Sequence, residues 1–132
     1  KDFKDYEYTK GIVEFSHKKH YTEYAEKAPK LYESKCGVCH HDENGKPLKD
    51  LKEGDSVQEC RECHSKPGEV PRELKKEWRA KKIDRKEQAK KSLEWHAEAM
   101  HESCTPCHKE YNRATKTKDA PTTCTKCHPK EG

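Results

Sequence analysis

Four short segments of the chain repeat one spacing of reactive side chains. They are Cys36-Gly37-Val38-Cys39-His40, Cys60-Arg61-Glu62-Cys63-His64, Cys104-Thr105-Pro106-Cys107-His108 and Cys124-Thr125-Lys126-Cys127-His128. Together they use all eight cysteines. C-x-x-C-H is the attachment pattern for c-type haem. The two thiols add across the vinyl groups of the porphyrin, and the histidine that follows becomes the proximal iron ligand. Zinc sites and disulfides also use paired cysteines, but neither requires a histidine after every second cysteine. The intervening pairs Gly-Val, Arg-Glu, Thr-Pro and Thr-Lys share no sequence, which argues against one duplicated zinc knuckle. Four covalent haem c groups are therefore expected, with proximal ligands His40, His64, His108 and His128.

Four irons with one protein ligand each still need a sixth ligand. Five histidines lie outside the motifs: His17, His20, His41, His96 and His101. That supply is close to complete bis-histidine ligation with one to spare. His17 and His20 share a face if their segment is helical. His40 and His41 are neighbours, and in an extended segment they point to opposite sides, so one can bind its own haem while the other reaches a second. His96 and His101 are five apart and share a face poorly, so one of the two is expected to bind iron. Met100 is a possible ligand that the histidine supply makes unnecessary.

The elements that must hold these groups are sparse. Only 29% of the residues are hydrophobic and 41% are charged, close to the composition of a disordered chain. Haems would supply the missing apolar core and thioether staples, so the chain without haem is expected not to fold. The fold class expected is mainly α, with few short strands and much irregular loop. The length suits a single domain over 1–132. Gly11-Ile12-Val13-Glu14-Phe15 is the best strand candidate, with a hairpin partner near 6–9. Residues 21–35, broken at Pro29, read as a short helix and a loop. Asn44-Gly45-Lys46-Pro47 and Gly54-Asp55 are turn signals. A helical insertion is expected at about 68–101, either one long helix or two broken near Ile83-Asp84. Its apolar stripe is Leu74, Trp78, Ala89, Leu93, Ala97 and Met100, and Pro71 suits its first turn. Residues 109–123 read as mostly loop. No apolar run approaches the length of a membrane span. Lys1-Asp2-Phe3-Lys4-Asp5 has no signal-peptide core behind it. C-type haem is attached outside the cytoplasm, so a mature chain in a bacterial periplasm is expected.

Val13-Glu14-Phe15-Ser16-His17-Lys18-Lys19-His20, the four haem motifs, the doublet His40-His41 and Met100-His101 ahead of Cys104 together resemble the class III c-type cytochromes, the cytochrome c3 family and its trihaem relatives. The resemblance covers most of the chain. It implies a small c3-like fold organised around four covalent haems. It also implies His17 as sixth ligand to the first haem, His41 to the second, His20 to the third and His101 to the fourth, with His96 spare. All four motifs here place two residues between the cysteines, whereas many tetrahaem members have four in the second and fourth. The gap from His20 to Cys36 and the helical stretch before Cys104 are longer than usual for the family.

Iron with two histidine ligands has no open site and passes single electrons, at a lower potential than histidine–methionine ligation gives. The expectation is a low-potential electron carrier and not an enzyme, although adventitious metal reduction is possible. The resemblance implies a periplasmic shuttle in sulfate- or metal-reducing anaerobes, between hydrogenase or another dehydrogenase and a membrane or terminal redox complex. Two alternatives remain open: a small multihaem reductase with one open iron, and a dedicated subunit of a membrane redox complex. Each oxidised haem adds about −1 and each reduced haem about −2, so the formal +4 of the chain becomes about zero oxidised and about −4 reduced. Charge is unevenly distributed: residues 66–91 hold eleven basic and five acidic side chains, and residues 92–107 hold three acidic and no basic ones. The basic stretch reads either as a solvated helix laced by glutamate–lysine pairs or as a docking face for an acidic partner. The family implies docking of an acidic or hydrogenase-type redox protein at lysines near the fourth haem, here Lys109, Lys116, Lys118, Lys126 and Lys130. Nucleic acid is a poor partner, because the basic stretch lacks interleaved aromatics.

Overall fold

Apolar residues this sparse support short helical turns better than sheets, and the computed structural model shows that arrangement. It describes residue 7 and residues 10–129. Its helices are α1 (His17–Tyr21), α2 (Glu23–Lys27), α3 (Cys60–Cys63), α4 (Arg72–Ala80), α5 (Arg85–Ser92), α6 (His96–Thr115) and α7 (Cys124–Cys127), with 3₁₀ turns at Pro29–Tyr32 and Lys35–Val38. Among the described residues, β-structure is limited to two isolated bridges, His41 with Pro47 and Lys66 with Trp95. The chain is thus mainly helix and irregular loop, as its composition implies.

The strand expected at 11–15 does not form. The segment has no ladder partner among the described residues, and Ile12, Val13 and Phe15 stand exposed at 79%, 48% and 57%. β-propensity reflects packing on a pleated surface more than an intrinsic backbone preference, and here no such surface exists. The proposed hairpin partner lies, apart from Glu7, outside the described residues. Residues 109–123 also depart from expectation: the helix carrying the third motif continues to Thr115 despite Pro106.

Contacts divide the chain into two units, one built on Gln58–Ser103 and the other on Lys10–Val57 with Cys104–Gly132. The first carries the second haem motif alone, and the other carries three.

In the three-motif unit, Ser16 caps α1 by accepting from the Lys19 amide at 3.3 Å. This satisfies one of the orphan donors of the first turn. α2 follows at once, and its Tyr24 ring meets Tyr111 of α6 edge-on, with centroids 5.9 Å apart. Tyr111 is among the few buried side chains of the protein, and burying it rewards extension of the helix past the motif. Asn112 then holds the returning chain. Its amide donates to the Ala120 carbonyl and its oxygen accepts from the Ala120 amide, both at 2.9 Å.

The second-motif unit has a conventional small core. Val70, Trp78 and Trp95 are buried together, with Leu74 and Ile83 packed against them. The tryptophans meet edge-on at 6.2 Å, and Lys66 lies 4.4 Å from the Trp95 ring centroid, within cation–π range. The helical insertion does break near Ile83-Asp84. Pro71 sits at the N-cap of α4, one place before its first turn. At the other end the Ile83 amide returns to the Trp78 carbonyl and the Lys82 amide to Arg79, both at 3.0 Å. This is a Schellman ending, with Ile83 as its apolar contact. Lys82 occupies the left-handed position at φ 56°, where a side chain costs about 1–2 kcal/mol relative to glycine. Of the expected stripe, Leu74 and Trp78 face the core, whereas Ala89 and Leu93 are exposed. α5 buries no residue. It is held by its Asp84 cap, which accepts from the Glu87 amide at 2.8 Å, and by Gln88, which donates to the Ile83 carbonyl at 2.6 Å.

Candidate haem centres

Each C-x-x-C-H segment forms one helical turn. The first cysteine's carbonyl accepts from the histidine amide, at 2.8 Å in the Cys36 motif, 2.9 Å in the Cys60 motif and 2.7 Å in the Cys124 motif. The Cys104 motif lies wholly inside α6. One turn of helix sets both thiols and the imidazole on neighbouring faces of the backbone, because residues three and four apart are adjacent there. In the first motif only glycine fits at position 37. A Cβ there would meet the Pro47 side chain at 2.8 Å and the Leu48 amide nitrogen at 2.9 Å, where the Leu48 amide donates to the His40 carbonyl.

The imidazoles are oriented by backbone carbonyls. His108 Nδ1 donates to Pro121 at 2.6 Å, His128 Nδ1 to Gly11 at 2.7 Å, and His64 Nδ1 to Leu93. A carbonyl can only accept, so each of these rings carries a proton on Nδ1, which leaves Nε2 as the nitrogen that would meet a metal. This second-layer hydrogen bond is what fixes the tautomer of a metal-binding histidine. Two histidines outside the motifs show it as well: His20 Nδ1 donates to Ser16 and His41 Nδ1 to Asp42, both at 2.7 Å.

Within the three-motif unit the structure pairs these rings. His17 faces His40 with centroids 6.3 Å apart and planes at 87°. His20 faces His108 at 6.4 Å with planes at 32°. A metal–nitrogen bond of about 2 Å on each side, plus about 1 Å from nitrogen to ring centre, requires a separation of about 6 Å. Both separations match that requirement. Aromatic side chains frame them: Tyr21 lies 5.3 Å from His17, Tyr24 5.2 Å from His20, and Phe15 4.3 Å from His20 and 6.3 Å from His17. The exposed Ile12, Val13 and Phe15 offer the apolar surface that a porphyrin face would cover.

In the second-motif unit a backbone clip holds the motif. The Lys66 amide donates to the Glu94 carbonyl at 2.9 Å, the His96 amide to Lys66 at 2.7 Å, and the Ala97 amide to Gly68 at 3.0 Å. Lys66 and Glu94 also form an ion pair at 2.5 Å. The clip brings His96, spare under the family assignment, close to His64. Burial, then the neighbouring His64, then Arg61 lower the His96 pKa below its usual value. His101 lies on the same helix, 3.9 Å from Glu69.

Several functional groups carried no sequence signal. The carbonyls of Gly11, Leu93 and Pro121 are backbone atoms that any residue supplies. Gly11 reads as a strand opener in the sequence, but its role is close approach: a Cβ there would lie 2.0 Å from the Pro129 carbonyl oxygen.

Helical turns presenting paired thiols and imidazoles held at Nδ1, with further imidazoles set opposite, define a multihaem c-type cytochrome scaffold. A family model for the class III cytochrome c family matches residues 1–128. The chain belongs to that family, and is thus a haem c-binding electron-transfer protein. No curated protein and no solved structure matches it. Among the described residues no helix is long and apolar enough to cross a membrane.

Proposed function

We propose that this protein is a periplasmic, low-potential carrier holding four haem c groups on its eight cysteines, with every iron bound by two histidines. The carrying observation is the pair of imidazole gaps, His17 with His40 and His20 with His108. Haem supplies one-electron exchange at iron, and two histidine ligands keep the potential low. The chain's own work is positional. Nδ1–carbonyl bonds orient His20, His41, His64, His108 and His128, aromatic residues flank the first and third sites, and His41 and His101 supply the two remaining distal nitrogens, with His96 as the alternative to His101. With no open iron, the protein passes electrons between partners instead of transforming a substrate. Its place is between hydrogenase or another dehydrogenase and a membrane or terminal redox complex in anaerobic sulfate or metal respiration. Lys109, Lys116, Lys118, Lys126 and Lys130 near the fourth motif would receive an acidic or hydrogenase-type redox protein.

The test is an anaerobic optical spectrum of the dithionite-reduced protein before and after carbon monoxide. Low-spin c-haem bands unchanged by carbon monoxide are expected, and His17→Ala or His20→Ala should each open one haem to the gas. A carbon monoxide shift in the unaltered protein would instead put a reductase with an open iron first. Electron paramagnetic resonance adds a finer check. Near-perpendicular rings at His17–His40 should give a strongly anisotropic low-spin signal. The smaller angle at His20–His108 should give an ordinary rhombic one, and each signal should vanish with its own histidine.

A further inference from the structure

Residues 72–91 carry ten basic and four acidic side chains, and all ten cations are exposed. Their arrangement on α4 and α5 follows from helical geometry. Leu74 and Trp78 turn α4 toward the core, which leaves Arg72, Lys76 and Arg79 on the opposite face. In α5 the half-buried Gln88 and Ser92 face inward and Lys86 and Lys90 outward. Lys82 stands at the corner between the helices. Glu77 pairs with Lys81, and Glu73 approaches Lys76 only to 3.9 Å. Among the described residues none of Arg72, Arg79, Lys82, Lys86 and Lys90 makes an ion pair.

Two features of this face are unfavourable for folding. Like charges four apart, as at Lys86 and Lys90, destabilise a helix, and α5 contributes nothing to the core that would offset it. Lys82 holds a left-handed backbone position where glycine is the unstrained choice, as do Lys35 and Lys116 elsewhere in the chain. A merely solvated helix gains nothing from the repulsion between Lys86 and Lys90. A binding surface gains a focused positive field. The face is also anchored to the second motif: Trp78 packs on Trp95, which lies between the backbone groups that hold His64 and Lys66.

We propose that Arg72, Lys76, Arg79, Lys82, Lys86 and Lys90 form a docking face for an acidic one-electron redox protein, serving the second haem and distinct from the lysines around the fourth motif. This rests on the reading of the protein as an electron carrier. One electron passes from the partner's reduced centre to a ferric haem, with no bond made or broken and no proton moved. The occupant is argued from charge complementarity. The face holds cations with no aromatic or large apolar side chain among them, which suits a small, wet, charge-steered encounter over insertion into a lipid surface.

The test titrates the ¹⁵N-labelled holoprotein with an acidic [2Fe–2S] ferredoxin at low salt. Amide shifts should concentrate on residues 72–91. The variant R79E/K82E/K86E/K90E should raise Kd and lower the electron-transfer rate by about tenfold or more, with a flattened salt dependence. Its optical spectrum should be unchanged. Lys82→Gly should raise the melting temperature yet weaken ferredoxin binding, a trade that a purely structural lysine would not show. A Kd within twofold of the parent for the fourfold variant would overturn the proposal. If K109E/K116E/K118E/K126E then lost binding, docking would lie at the fourth motif and the carrier reading would survive. Loss of binding to phosphatidylglycerol vesicles with ferredoxin binding intact would overturn it in favour of a membrane surface.

Discussion

The two units hold their motifs by different physical means. The second-motif unit owns a core of Val70, Trp78 and Trp95 and clips its motif to residues 93–97 through backbone hydrogen bonds. The three-motif unit buries little besides Ala28, Gly37 and Tyr111, and its principal ring contacts are between imidazoles and tyrosines. The first can close around protein atoms alone. The second holds pairs of imidazoles at iron–imidazole separations, where a porphyrin would supply the apolar interior. A chain with 41% charged residues can thus fold in two ways at once, by concentrating its two tryptophans in one place and by delegating the core to a cofactor in the other.

The sharpest way to break this comparison is to make the chain without haem attachment. Amide exchange in the three-motif unit should then be fast throughout, while α4 and the start of α6 keep measurable protection and helical circular dichroism. Uniform protection, or uniform loss, would remove the distinction. In the holoprotein, Trp78→Ala empties the only tryptophan pair and should cost about 3–5 kcal/mol in urea unfolding. New protease cleavage should fall within residues 72–92. A smaller effect is expected at Asn112, whose side chain fixes the loop leading to the Pro121 carbonyl that orients His108. Asn112→Ala should lower stability by about 1–3 kcal/mol and perturb the third haem more than the others in nuclear magnetic resonance spectra. The smallest effect is set by pH. Burial is the first cause that pushes the Tyr32 hydroxyl up, to about 12 with the neighbouring Cys107 and Cys39 as free thiols and less far once they are uncharged thioethers. The unfolded chain ionises near its ordinary value of about 10. Stability is therefore intact below that pH, falls as the unfolded form alone ionises, and levels off once the folded pKa is passed. Tyr32→Phe should flatten that decline in melting temperature between pH 10 and 12.

Much of the chemistry was legible because it depends on side-chain type at short spacing. C-x-x-C-H needs only one helical turn, so the motif and its local structure are the same fact. The placement of His17 and His20 on one helix, the break near Ile83-Asp84 and the turns at Asn44-Gly45 and Gly54 follow equally from local rules, and both glycines indeed have positive φ. The failures were non-local. Gly11–Phe15 has strand composition, but a strand exists only with a partner. The continuation of α6 past Cys107 was hidden by Pro106 and by the polarity of residues 109–115, because the reward for that helix is the contact of Tyr111 with Tyr24, distant in sequence.

By itself, then, the sequence determined what the protein can bind: eight thiols in four pairs, each pair followed by a histidine in a haem pattern, and too few apolar residues for most of the chain to fold around itself. Only the tertiary structure decided which imidazoles face each other, which carbonyls aim them and where His96 stands. Those choices rest on backbone atoms and long-range packing, and a carbonyl of Gly11, Leu93 or Pro121 leaves no mark in the residue it belongs to.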